Sequence, residues 1–491
     1  MSPEAWIAID PSVDYPPDND LSPSPRPPEY RFGTSGHASQ MQPGGVYGLF
    51  RRLLTEAGAD KANIGRTDWN PLRRWVKPDD RVFVLPNLVM HRRTDRGERL
   101  SDFRGKCTDG SVLRAVCDYT LLAARSPSQI SVGSAPIQAC DFRRVCQEAR
   151  IAQIFSFYRD HSAPITGPLD LRGVVSQWSQ FGTLRERQTV ESDYSVRVDL
   201  GRESLLDEFY TIRTQPPPRF VVGDYSPSDT AKYHGPGRHV YVVDRRVLDA
   251  DLVIHVPKLK THQKVGITCS LKGCVGSIVR KECLAHHRSG SSAGGGDEYA
   301  HQSSVFRLAS TLLERSAGLD AGSWANLQRF SAKALTKALS SMPQASMPGS
   351  WPGNDTAWRM AIDIARILHY AGRDGRLHDV PQRRHLVVID GIVGGEGDGP
   401  LKPTGRSRGA IILSDNVLAA DYAASTLMGF DPHALPLLEG AKREMRFQLP
   451  SMGDPPGIRL NGLPISHSTL GALAEPFLPP KGWDRLMHAK R

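Results

Sequence analysis

The 491-residue chain has no run of eighteen apolar residues, so hydropathy excludes a membrane-spanning helix. A secretory leader is not recognisable either. MSPEAWIAIDPSVDYPPDNDLSPSP is acidic and proline-rich where a signal segment is basic and then apolar, and the cytoplasm is the expected location. Cysteine is scarce, with seven residues, an odd number, and no CxxC pair. That argues against a disulfide framework and against the common zinc and ferredoxin spacings. Walker A, nucleophile-elbow, HExxH and kinase signatures are all missing, as are zinc-finger, RNP and basic-zipper patterns. Nucleic acid is therefore not the expected partner of the +10 net charge, and a small anion is the simpler one.

Short apolar runs punctuated by turn residues are plentiful. RVFVL (81–85), a helix capped by Asp109 over SVLRAVCDYTLLAA, and QISVG (129–133) read as strand, helix and strand. The pattern returns as VYVVD (240–244) with LVIHV (252–256), and as LVVID (386–390) with AIIL (410–413) and the helix NVLAADYAASTLMG. The expected fold is α/β, a mostly parallel sheet built from βαβ units with an inserted helical region. Residues 1–45, rich in Pro, Ser and Gly, predict an extended or poorly ordered arm. The α/β core is expected over 46–300, a helical insertion or lid over 301–353, and a C-terminal part completing the core over 354–491, with a loop-rich tail.

Ligands of open parallel sheets sit beyond the carboxyl ends of the strands, so the residues after each apolar run carry the functional reading. After LVIHV comes PKLKTHQK. If the chain stays extended, Lys258, Lys260, His262 and Lys264 share one face, suited to a phosphate or carboxylate. The plainer alternative is a wet edge strand whose lysines discourage edge pairing. After LVVID comes GIVGGEGDGP, which lacks GxGxxG spacing but offers Asp390, Glu396 and Asp398 to a divalent cation such as Mg²⁺ or to sugar hydroxyls. A solvated turn using its glycines for positive φ explains the same residues.

Asn87 follows the strand ending at Leu85, and Lys272 follows PKLKTH at a distance. In LAHHRSGSSAGGGDEY, His286, His287, Arg288, Asp297 and Glu298 bring imidazole, cation and carboxylate to one loop. A mobile surface loop is the competing reading. Cys269, Cys274 and Cys283 are spaced C-x4-C-x8-C, which matches no zinc or iron–sulfur pattern and suits small core residues.

PNLV (86–89), TDGSVLRAVCDY (108–119), VGSAPIQACDF (132–142), DADLVIHVPKLKTH (249–262), LKGCVG (271–276) and IDGIVGGEGDGP (389–400) together resemble the domain of unknown function 362 family, over about residues 68–440. HHRSGSSAGGGDEY and GNDTAWRMAIDIARILHYA look like a subgroup found beside cell-surface polysaccharide genes. The resemblance implies an enzyme acting on an anionic small molecule or sugar derivative, with cation assistance and a place in polysaccharide metabolism. Lys260, His262 and His286 are then the catalytic candidates. Lys258, Lys272, Asn87, His287, Arg288, Asp297 and Glu298 are the substrate-binding candidates, and Asp390, Glu396 and Asp398 the metal candidates. A non-catalytic binding or scaffold protein is the alternative, and a metal-dependent redox protein the third reading. The four-cysteine module of many relatives is absent, so an iron–sulfur role does not carry over. Two departures stand out: Leu85 replaces the Lys of the family's KPN, and Ser134 replaces the Asp of its GDSP-like loop. PKLKTH also resembles, by analogy, the Lys and His segment of nickel-pincer lactate racemase.

Overall fold

The computed structural model describes residues 3–17, 20–32, 43–178, 184–190, 192–211, 217–223, 225–301, 304–317, 319, 322, 326–328, 330–331 and 347–487. Its centre is an eleven-stranded, mostly parallel sheet. From one edge the order is Leu463–Ile465, Gly457–Leu460, Glu4–Ile9, Thr404–Ser414, Arg384–Glu396, Leu252–Val256, Val82–Pro86, Ile130–Ser134 and Thr166–Asp170. Lys258–His262 runs parallel to Arg384–Glu396 and pairs on its other side with Gly266–Ile267.

Continuous apolar strands are what a sheet covered on both faces requires. Alternate residues of each strand enter two separate cores. Phe83, Val253, Val387 and Ile412 pack on one side with the helices Ala357–Tyr370 and Val417–Leu427. Val84, Leu252, Val388 and Ile411 pack on the other with Gly45–Ala57 and Gly110–Ala123. Burying one such aliphatic side chain contributes about 1.5–3 kcal/mol, so a one-residue slip of any central strand is prohibitive. Asp109 caps Gly110–Ala123 by accepting from the Ser111 amide at 2.8 Å.

Three expectations change. Glu4–Ile9, inside the expected arm, is a strand, antiparallel to Thr404–Ser414 and parallel to Gly457–Leu460. Its EAWIAI is the one apolar run in an otherwise polar, proline-rich lead-in, and two neighbours supply its partners. VYVVD lies in Arg238–Asp244, which pairs antiparallel with Ser195–Asp199 in a separate three-stranded sheet. AIIL belongs to Thr404–Ser414, antiparallel to Arg384–Glu396. Of the expected insertion, Ser304–Ala317 is helical, and residues 332–346 lie outside the described residues. No helix among the described residues is long and apolar enough to cross a membrane.

Candidate anion site

Pro257 interrupts the Leu252–Val256 strand, and the chain then resumes as Lys258–His262 beside the carboxyl end of the sheet. Its five residues are buried. Room for this comes from glycine. GIVGGE is not a loop but the end of the thirteen-residue strand Arg384–Glu396, and its glycines let other backbones lie against it. A Cβ on Gly395 would stand 2.3 Å from the Gly105 carbonyl oxygen and 3.0 Å from Lys260 Cβ. Gly395→Ala is expected to cost about 1–3 kcal/mol through overpacking, read as a lower denaturant midpoint, because a backbone carbonyl is what must move.

Lys258 does not face an open site. Its ammonium donates to Asp390 Oδ2 at 2.9 Å and to the Tyr15 hydroxyl, and both charged side chains are wholly buried. Asp390 also accepts from Tyr15 at 2.7 Å and from the Asp109 amide at 3.0 Å. With the Ile392 amide at 3.3 Å, four donors around one carboxylate leave a cation little to bind.

The other two metal candidates are engaged separately. Glu396 accepts from Arg406 at 3.1 Å and from the Leu478 amide at 2.9 Å, while Asp398 accepts from the Lys481 amide at 3.2 Å. No three His, Cys, Asp or Glu side chains converge as a metal ion requires among the described residues, so the three carboxylates are not a metal triad.

Lys260 is the contrasting neighbour. It is fully buried, and among the described residues its ammonium meets only neutral acceptors, Asn87 Oδ1 at 2.6 Å and the Lys106 carbonyl at 2.7 Å. Burial lowers it to about 7, helped by Lys258, Lys106 and Lys272 and opposed by Cys107. Asn87 therefore holds Lys260, a role the sequence assigned to substrate. Its own amide donates to Thr108 Oγ1 at 2.9 Å, which fixes the turn after Val82–Pro86.

Lys272 lies on the short helix Cys269–Gly273, 7% exposed, and its ammonium has no hydrogen-bond or ion-pair partner among the described residues. Burial lowers it to about 8. Asp421, from Val417–Leu427, anchors that helix by accepting from the Ser270 amide at 2.7 Å and the Leu271 amide at 2.9 Å. One turn earlier the buried Thr268 hydroxyl also lacks a partner.

His262, Lys264 and His286 complete the group. Desolvation pushes His262 well below the usual imidazole value, reinforced by Lys272, His286, Lys260 and Lys264. His286 is lowered in the same way, first by burial and then by Lys272 and Lys264. Both rings are neutral at physiological pH. His262 Nδ1 accepts from the Lys264 amide at 3.1 Å, so its proton resides on Nε2, which is a donor. His286 Nδ1 is buried without a partner. Burial divides the group into a partly exposed rim, Lys264 and His286, and a buried floor, Lys260, His262 and Lys272.

Lys264 donates to the Pro348 carbonyl, and burial brings it to about 8. Asn354 donates to the His286 carbonyl at 2.9 Å, holding residues 347–354 over this rim.

The remaining candidates tie the rim loop together. Asp297 accepts from the Arg288 amide and from Thr356 Oγ1, both at 2.5 Å, and Glu298 accepts from Ser310 and from the Gly290 amide at 3.0 Å. Arg288 lies over the Phe209 ring at 3.7 Å, and His287 Nε2 lies 3.7 Å from Glu298. These four are brought close to the site but face one another. Cys269, Cys274 and Cys283 are free and buried, and burial raises all three thiols, Cys283 to about 12, so none is a thiolate. Leu85 and Ser134 meet at Gly276, 3.4 and 3.1 Å from where its Cβ would be, and supply neither cation nor carboxylate there.

Residues outside the sequence-derived set also matter. Tyr15 sits far along the chain from Lys258, and no local pattern marks it. Lys281 belongs to no stripe, yet its ammonium is held only by the Val275 carbonyl at 2.9 Å, and burial, then Lys272, lowers it to about 7. Asp421 was readable only as part of a helix.

Residues 220–426 match the family described as Domain of unknown function (DUF362). The match spans the Lys258–His262 strand, Lys272, the rim loop and Arg384–Glu396. No curated protein and no solved structure matches the chain.

Proposed function

We propose that this protein is an enzyme acting on an anionic small molecule, bound over Lys260, His262, Lys264, Lys272 and His286. One observation carries the reading: among the described residues Lys260, Lys264 and Lys272 have no carboxylate in ion-pair contact, while the adjacent Lys258 is neutralised by Asp390. An isolated buried ammonium costs several kcal/mol unless a counter-charge arrives, and a ligand supplies one. Lys272 and Lys264 bind the anion, and His262 Nε2 donates to it.

Lys260 is the proton-transfer group. Two of its positions are taken by Asn87 and Lys106, and at about 7 its third carries a proton or a lone pair with similar ease. Likeness of the rim segments to proteins encoded beside cell-surface polysaccharide genes supports an acidic or phosphorylated sugar as substrate. Cation assistance would need carboxylates other than Asp390. A binding protein without turnover is the second reading, favoured by Leu85 and Ser134, which bring no charge where the resembled family carries Lys and Asp. Incubation with a metabolite extract, followed by identification of what is bound and what is consumed, separates the two.

Anion affinity is expected to depend on pH with a definite sign. The ligand-free lysines lose protons from about 7 to about 8, so binding weakens as pH rises beyond that window, about tenfold per unit for each proton the complex requires. Calorimetric titration with inorganic phosphate at pH 6.5 and pH 9 reads this directly. Equal affinity at the two pH values, or equal affinity in wild type and Lys260→Ala, would remove the lysines from the site.

A further inference from the structure

The charge around the site exceeds what a singly charged ligand can neutralise. Four lysines are involved: Lys260, Lys264, Lys272 and Lys281. Lys260 contacts an amide oxygen and a carbonyl, Lys264 and Lys281 one carbonyl each, and Lys272 nothing. None has a carboxylate within ion-pair distance among the described residues. Asp297 and Glu298 favour the charged form of Lys264 from farther away, and each is occupied by its own donors. Arg172, which acts on Lys281, is paired with Asp170 at 2.6 Å.

A monocarboxylate would leave at least one ammonium uncompensated on the floor. Arg288, two residues from His286, is paired with Asp297 at 3.5 Å, so the planar fork that suits a carboxylate is already occupied. Lysines act as point charges, and several around one group suit a compact, multiply charged oxyanion.

We propose that the ligand presents a dianionic oxyanion of the phosphate-monoester kind to Lys264 and Lys272, with the proton-transfer group Lys260 beside it, a reading that rests on the anion site above. Lys281 donates to the Val275 carbonyl at 2.9 Å and is not assigned a contact with the ligand. Binding of a dianion draws the lysines toward full protonation, so complex formation at pH 8 takes up protons from solution.

Methyl phosphate and methyl sulfate distinguish the cases, since they are nearly isosteric and differ in charge once the phosphate's second proton leaves near about pH 6. Both are titrated calorimetrically into the full chain at pH 7.5 and pH 5, and methyl phosphate also at pH 8 in two buffers of different ionisation enthalpy. The expected result is at least tenfold tighter binding of methyl phosphate at pH 7.5, a gap that closes at pH 5, and net proton uptake at pH 8. Equal affinities at pH 7.5 overturn the dianion proposal and leave the anion site standing. Absence of binding by both, or binding of both unchanged in Lys272→Met, overturns the site itself and the proposal with it.

Discussion

Lys272→Met is expected to make the ligand-free protein more stable and to abolish anion binding. The two effects share one cause. An ammonium held near 8 in place of its usual value binds its proton less well folded than unfolded, so the folded state is penalised wherever Lys272 is charged. The sign follows: this contribution is worst below pH 8 and is relieved as pH rises from there through the unfolded lysine range. At neutral pH the penalty is roughly 3 kcal/mol, and a methionine of similar length removes most of it. Thermal unfolding at pH 7 should therefore move up by a few degrees, while anion affinity falls by a hundredfold or more. A structural lysine predicts the opposite, loss of stability with no change in binding.

Asp390→Ala, one strand away, is expected to be among the most destabilising single changes in the chain. It strips the counter-charge from the fully buried Lys258 and leaves the Tyr15 hydroxyl and the Asp109 amide without their acceptor. Breaking such a pair from one side costs about 3–5 kcal/mol. The double variant Lys258→Met with Asp390→Leu is expected to recover much of that loss, because no unpaired charge remains. Chemical denaturation of the three proteins checks both statements. An Asp390→Ala midpoint equal to wild type would show that Lys258 and Asp390 are not the tie described here, and would reopen Asp390 as a ligand. Lys258 and Lys272 thus invert the order that spacing suggests: the lysine inside the PKLKTH stripe is ion-paired, and the more remote one has no ion-pair partner among the described residues.

Much of the sheet was legible because its strands are continuous apolar runs, RVFVL and LVIHV each closed by a proline, and RVFVL, QISVG, LVIHV and LVVID all lie in it. What failed was pairing. VYVVD and AIIL have the composition of central strands, and composition does not state direction or partner, which here are antiparallel. The glycines of GIVGGE disguised a strand as a loop, since glycine is poor in strands unless another backbone comes close, as Gly105 does at Gly395.

Lys260 and His262 were visible as chemistry-bearing residues beyond a strand and His286 as one of a Gly/Ser loop, and Lys260 and His286 both act electrostatically on His262. Which lysine is neutralised could not be seen, because Tyr15 and Asp390 reach Lys258 from opposite ends of the chain. The tautomer of His262 likewise depends on the turn that presents the Lys264 amide, which makes Nε2 the donor.

Crystals of the full chain soaked in tungstate, a tetrahedral dianion visible by anomalous scattering, test the central claim most directly. The predicted result is a peak over the floor of the site, with an oxygen about 3 Å from Lys272 Nζ and others toward Lys264 and His262 Nε2. A peak elsewhere, with nothing at Lys272, would contradict it.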